Sequence, residues 1–299
     1  MRCSSRRNGK SGGNTRLRSA HGRLVNISAS ISRSPRAYLL DVDGTLLTET
    51  GAVPGVAAAI ARLRRRGVPF RILTNITRRS RRRVVARLVE HGIDVRPHEV
   101  FTAVLAGIGW LKRRGIGVVA PFVAEDALED LDAFQLTGGT SGSGARGKRP
   151  EAVLIGDVGE GWSHRLLNEA FRYVMDGAHL LALQRGRYWQ GPTGLEVDAG
   201  AYVAALEYAT GRDAVVCGKP NPEFFEGAVA DLGLEAVPGQ PPIVMVGDDL
   251  WSDIQGAQRA GLEGWLVRTG KFRQDELESG TVTPDRIIDS VAAVGETVT

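Results

Sequence analysis

Over residues 1–35 the apolar positions keep no regular period, and then the pattern changes abruptly. Ala37-Tyr38-Leu39-Leu40 is a short apolar run closed by Asp41, which predicts a buried strand. Over 54–66 the Ala, Ile and Leu positions follow helical spacing, with Pro54 near the start and Gly67 beyond the end. Residues 68–73 predict a second strand. Ser80 is placed to cap an amphipathic helix running to His91, with Gly92 after it. Strand, helix, strand, helix is the alternation of a parallel sheet covered on both faces. It returns near the C-terminus, with strands at 213–217, 243–246 and 264–267 and helices at 222–232 and 253–260.

Between these halves lies a second α/β stretch, with strands at 118–120, 152–155 and 180–183 and a helix over 165–175. A Gly/Ser/Arg/Lys-rich loop at 137–150 interrupts it and reads as a surface insertion. The expected fold is therefore α/β, a doubly wound parallel-sheet (Rossmann-like) core with an inserted α/β lid. Its expected boundaries are 36–99 and 213–299 for the core, 100–212 for the insertion, and a disordered basic tail over 1–35.

Composition narrows the class. With 299 residues, 42% hydrophobic and 24% charged, the chain can bury a sizeable core. It holds no run of 18 apolar residues and no secretory pattern, so a cytoplasmic protein is expected. Cys3 and Cys217 are the only cysteines, which excludes a disulfide framework or a cysteine-built metal cluster. The net charge of +4 divides unevenly: residues 1–40 carry nine cations and no acid, leaving the rest mildly acidic. Three readings of that tail stand open: a disordered extension, an organellar transit peptide and a nucleic-acid arm. The absence of interleaved aromatic residues weighs against the arm.

Two motif matches lack their mechanism. Gly142-Ser143-Gly144-Ala145-Arg146-Gly147 fits the dinucleotide fingerprint but opens no helix, and Arg149 stands where a phosphate-binding loop needs Ser or Thr. The sequons at Asn26 and Asn75 mean little without secretion. Asp41-Val42-Asp43-Gly44-Thr45 carries more, although Asp-Gly alone is also a turn signal. Asp43 projects to the same side of an extended chain as Asp41. Thr74-Asn75, Gly218-Lys219-Pro220 and the stretch from Gly247 through Asp248 and Asp249 to Asp253 follow three further predicted strands. In an open parallel sheet, all four segments would face the ligand crevice at the strands' carboxyl ends.

Clustering Asp41, Asp43, Asp248 and Asp253 costs on the order of 4 kcal/mol per close pair at an effective dielectric near 20. A divalent cation explains the cluster, because Mg²⁺ takes hard oxygen ligands together with a substrate phosphate. Lys219 adds a positive charge beside it, in a chain with only five lysines.

These four segments, in this order, resemble the motifs of the haloacid dehalogenase-like hydrolases. The long insertion resembles the type-two α/β cap of their type IIA members. Phe171 to Gly177, Ala205 to Thr210, Gly218 to Phe225 and Arg268 to Arg273 are similar to the branch of the phospholysine phosphohistidine inorganic pyrophosphate phosphatases. The resemblance covers about 37–295. Several of those relatives carry Ser where Asp43 stands.

The resemblance implies a phosphatase acting on a small phosphorylated metabolite, with Mg²⁺ as cofactor. Asp41 would be the nucleophile, forming an aspartyl-phosphate, and Asp43 the general acid and base. Asp41, Asp248 and the Asp43 carbonyl would hold the metal, while Thr74, Asn75 and Lys219 would bind the phosphoryl group. Asp253 would orient Lys219 or metal-bound water, and Asp249 stays open between the metal's surroundings and a helix N-terminus. The alternatives are pyrophosphate or phosphoramidate hydrolysis on the same scaffold, and a basic nucleic-acid-binding protein with vestigial motifs. A homodimer through the cap is expected; no membrane partner is. The arginines at 78, 79, 81, 82 and 83 read either as a solvated face or as a polyphosphate site. Arg187-Tyr188-Trp189 reads either as cap core or as a substrate-facing strip.

Overall fold

The computed structural model describes residues 34–142, 148–191 and 194–296. The basic tail and the centre of the Gly/Ser/Arg loop therefore lie outside the described residues. In chain order the first elements are β1 (Ala37–Asp41), the hairpin β2 (Leu47–Thr48) and β3 (Gly51–Ala52), α1 (Val56–Arg65) and β4 (Phe70–Thr74). Then come α2 (Arg81–Glu90), β5 (Val100–Thr102) and α3 (Ala103–Arg113). The middle of the chain holds β6 (Val118–Phe122), β7 (Gln135–Leu136), β8 (Ala152–Ile155), α4 (His164–Met175) and β9 (His179–Ala182). It continues with the hairpin β10 (Tyr188–Gly191) and β11 (Gly194–Val197), α5 (Ala199–Thr210) and β12 (Val215–Val216). The last elements are α6 (Pro222–Asp231), β13 (Ile243–Gly247), α7 (Gly256–Arg259), β14 (Glu263–Val267), α8 (Gln274–Glu278) and β15 (Arg286–Ile288).

Two parallel sheets organise these elements. One has six strands in the order β15-β14-β13-β1-β4-β5, the other five in the order β12-β9-β8-β6-β7. Strand β1 lies at the centre of the first, and all five of its residues are buried, as its unbroken apolar run requires. Leu39 faces Phe101, Phe224 and Met245, in a cluster built with α3 and α6. Tyr38 and Leu40 face the other side, onto α1 and α2. Each fully buried leucine here contributes roughly 1.5–3 kcal/mol. Helices on both faces make this core doubly wound, as expected.

The second sheet buries Phe122, Val153 and Ile155 against α4 and α5. Its other face, with Val119, Leu154 and Leu181, joins α3 in the same apolar cluster that packs the first sheet. Two expected boundaries are corrected by strand pairing. Val100–Thr102, expected in the insertion, pairs with β4 in the six-stranded sheet. The strand expected at 213–217 in the core is β12, which pairs with β9 in the five-stranded sheet. Both are short edge strands, and an edge strand's own sequence does not say which sheet it extends. The helix expected at 253–260 starts earlier, as a π-helical turn over Leu250–Gln255 that runs into α7. Among the described residues no helix is long and apolar enough to cross a membrane.

Candidate active site

Register alone brings three site residues to one edge. Leu40 lies level with Val246 and Asp41 level with Leu73, so Asp41, Asp248 and Thr74 all emerge at the carboxyl ends of β1, β13 and β4. The π-helical turn after β13 folds Asp253 back over the same edge. Asp41, Asp248 and Asp253 are all buried, and their carboxylate oxygens lie within 4.8 Å of one another.

Lys219 arrives from a different quarter. It follows β12, so the second sheet's edge strand delivers it, not a strand of the core as its sequence position suggested. The Asn75 side chain clamps its backbone: Asn75 Nδ2 donates to the Lys219 carbonyl, and Asn75 Oδ1 accepts from the Lys219 N–H, both at 2.9 Å. Lys219 Nζ then donates to Asp41 Oδ1 at 2.5 Å and to Asp253 Oδ1 at 2.6 Å. The expected contact of Asp253 with Lys219 is thus present. Thr74 is buried, and its hydroxyl accepts from the Ile76 N–H.

Asp248 sits in a tight collar. The Lys271 N–H donates to its Oδ2 at 2.7 Å. Gly44 has φ +88° and Gly270 φ +63°, and a Cβ on either would fall on the Asp248 carboxylate. Glycine is therefore required at both positions. Asp249 is a helix N-terminal residue: its Oδ1 accepts from the N–H groups of Trp251 and Ser252, and its Oδ2 from Lys271 Nζ. These hydrogen bonds hold it below the usual carboxylate range, against the opposing effect of burial.

Asp43 departs from the expectation. Its side chain is 53% exposed and accepts from Arg87 Nη1 at 2.9 Å, outside the buried acidic cluster. The strand ends at Asp41, and Asp43 already belongs to a turn in which the Gly44 N–H donates to the Leu47 carbonyl. Strand alternation no longer governs a residue past the strand's end.

Burial pushes the Asp41 carboxyl well above its ordinary range, and Asp253 adds to the rise, although Lys219 opposes it. Asp248 is pushed up to about 7, by burial first and by Asp253 second. Burial alone would lower Lys219, but Asp253 and Asp41 outweigh it and raise the ammonium's pKa. The cluster thus places three carboxylates around one ammonium, among the described residues the only buried lysine or arginine. That uncompensated negative charge, on hard oxygen atoms, fits a divalent cation. Cys217 is no competing nucleophile, since burial pushes its thiol up to about 12.

Three side chains of the arginine run are paired. Arg78 pairs with Asp157, Arg82 with Glu129 and Arg83 with Asp126, while the Ser80 and Arg81 N–H groups donate to Asp126 and Asp130. An acidic 3-10 turn, Glu125–Leu131, supplies three of those partners, Asp126, Glu129 and Asp130. Tyr188 is no cap core: it stands 59% exposed on the β10–β11 hairpin, and Trp189 lies under the Arg78 guanidinium. A two-stranded hairpin cannot bury both its faces. Arg87 and Lys271 went unassigned in the sequence. The scarcity of lysine that singled out Lys219 also marks Lys271, whereas nothing marks Arg87 among so many arginines.

The sequence model described as Haloacid dehalogenase-like hydrolase matches residues 38–137, and one described as HAD-hydrolase-like matches 216–294. The chain is 38% identical over 243 residues to the rat haloacid dehalogenase-like hydrolase domain-containing protein 2, covering 81% of this chain and 88% of that protein. It is 36% identical over 263 residues to the rat phospholysine phosphohistidine inorganic pyrophosphate phosphatase, covering 86% and 92%. Among solved structures it is similar to NagD from E. coli K-12, with a TM-score of 0.76 at 25% identity, covering 87% of this chain and 98% of that one. The 4-nitrophenylphosphatase from Thermotoga maritima matches with a TM-score of 0.76 at 25% identity, covering 89% and 98%.

Proposed function

The chain belongs to the haloacid dehalogenase-like hydrolase family and is a phosphatase, and from that premise we propose that it is Mg²⁺-dependent and hydrolyses a small phosphorylated metabolite through an aspartyl-phosphate on Asp41. The observation that carries this reading is the buried cluster of Asp41, Asp248 and Asp253 around Lys219. Its three carboxylates against one ammonium would be destabilising in a protein without use for them.

In the first half-reaction an Asp41 carboxylate oxygen bonds to phosphorus and the bond from phosphorus to the leaving oxygen breaks. Asp43 gives its proton to that oxygen. In the second, water attacks phosphorus, Asp43 takes the water's proton, and the acyl-phosphate bond breaks to release phosphate and Asp41. The Thr74 hydroxyl and the Asn75 N–H hold the phosphoryl oxygens. Lys219 offsets charge on both nucleophile and phosphate. The carboxylates of Asp41 and Asp248 with the Asp43 carbonyl would hold Mg²⁺, which when bound draws negative charge off the phosphoryl oxygens.

Similarity to a phospholysine phosphohistidine inorganic pyrophosphate phosphatase supports a second reading, hydrolysis of pyrophosphate or phosphoramidates. Retention of Asp43 favours ordinary esters, because an alkoxide leaving group needs a proton and a stabilised one does not. Homodimerisation through the inserted unit belongs to the same proposal. Its support is one face of the β10–β11 hairpin, where Tyr188, Leu195 and Val197 stand 59%, 70% and 63% exposed.

Phosphate release from alkyl phosphates, nitrophenyl phosphate, pyrophosphate and a phosphoramidate, with Mg²⁺ or with a chelator, tests the function. Ester hydrolysis should stop on chelation and resume on adding Mg²⁺. Equal release in chelator sinks the metal reading, and preference for pyrophosphate or the phosphoramidate gives the function to the second reading.

A further inference from the structure

Phosphoryl transfer runs with the attacking and leaving oxygens roughly in line through phosphorus. Asp41 is 6% exposed and attacks from the floor of the site, so the leaving oxygen departs on the opposite, solvent side. A group that protonates it belongs at the rim. Asp43 follows Asp41 by two residues, its side chain is 53% exposed, and a single charge-assisted hydrogen bond from Arg87 Nη1 to its Oδ1, 2.9 Å long, fixes its carboxyl.

Arg87 stands on a well-anchored helix. Val84 and Leu88 bury one face of α2 in the core. Its first turn is capped by Ser80, and the Asp126 and Asp130 carboxylates accept two further N–H groups there. Asp43, by contrast, sits on an Asp-Gly turn leading into the small β2–β3 hairpin, where the backbone alone would leave its rotamer free. A catalytic group on a loop is held best by a partner on a rigid element.

We propose that Arg87 is a positioning residue for phosphoryl transfer, its guanidinium holding the Asp43 carboxyl at the rim where the leaving oxygen departs. This rests on the general-acid reading of Asp43 given above. Arg87 pairs with Asp43 and not with the buried acids, so it acts through Asp43.

The test is single-turnover phosphoryl transfer in the Mg²⁺-loaded enzyme, with an alkyl phosphate and with nitrophenyl phosphate. Arg87→Met should slow the alkyl substrate by about 10- to 100-fold, because a misplaced catalytic group costs that much. Nitrophenyl phosphate, whose leaving group needs no proton, should slow less than about threefold. Substrate affinity should hold, and Arg87→Lys should restore most of the alkyl rate. In an Asp43→Asn background, Arg87→Met should add nothing further, as expected of two groups acting as one unit. If Asp43→Asn separates the two substrates while Arg87→Met slows both equally or neither, the positioning role is overturned and the general acid survives. If Asp43→Asn itself fails to separate them, the general-acid reading falls and the role of Arg87 falls with it.

Discussion

At their carboxyl ends the two parallel sheets carry opposite kinds of residue. The six-stranded sheet ends in buried charge: Asp41 after β1, Asp248 after β13, and Asp253 folded back over them, each no more than 6% exposed. The five-stranded sheet ends in one buried cation, Lys219 beyond β12, and otherwise in neutral or partly exposed groups. Beyond β8 the Asp157 N–H donates to the Thr77 hydroxyl and its carboxylate pairs with Arg78. Beyond β9 the buried polar side chain is Gln184, which donates to Asp198 at 2.5 Å. Burying charge is costly and is kept where chemistry uses it. The buried acids all belong to the first sheet, and the second contributes the ammonium that pairs with two of them.

Charge removal at the first sheet gives the largest expected effects. Asp41→Asn keeps the shape but removes the attacking carboxylate, and turnover should fall by at least about 10⁴-fold. Asp248→Asn should instead raise the Mg²⁺ concentration for half-maximal rate by at least about tenfold, leaving the rate at saturation less affected. Steady-state titrations separate the two. An Asp41→Asn enzyme with a tenth of normal activity would break the contrast between the sheets at its root.

A smaller effect appears in stability against pH. The folded-state pKa values of Asp41 and Asp248 lie above the ordinary 3.8, Asp248 at about 7. Between those values the folded state binds more protons than the unfolded one, so metal-free protein should lose stability as pH rises from about 4 towards 7. Mg²⁺ at 100 times its Kd should return about 2.7 kcal/mol near pH 7.5 and much less at pH 5, where protons occupy its ligands. Thermal melting with and without Mg²⁺ at the two pH values reads this directly. A stabilisation by Mg²⁺ that is the same at pH 5 and pH 7.5 would count against the acidic cluster as its site.

The smallest effect on catalysis is expected at the β10–β11 hairpin of the inserted unit. Tyr188→Ser with Leu195→Ser should turn a dimer into a monomer in light scattering and change turnover of nitrophenyl phosphate by less than about twofold, as surface changes away from a site do. A wild-type monomer would leave that apolar hairpin face without the assigned partner.

Long periodic elements were legible in the sequence. The buried run ending at Asp41, the Ser80-capped helix and the acids after β13 stand where hydrophobic pattern and capping chemistry put them. What failed was local in extent and long-range in cause. Val100–Thr102 and Val215–Val216 are three and two residues long, and their sheets are fixed by partners far away in the chain. The Asp43 side chain lies outside the buried cluster because the strand ends two residues before it, so alternation no longer sets its direction. Arg87 and Lys271 pair with residues 44 and 22 positions away, contacts that no local period encodes.

The placement of β12 ties the two halves of the molecule mechanically. Two residues separate the last strand of the inserted unit from Lys219, and the Asn75 amide on the core grips the backbone of that same lysine. The ammonium is thus slung between two bodies, while the three carboxylates are all rooted in one. A displacement of the inserted unit relative to the core would therefore move the ammonium against carboxylates that stay in place.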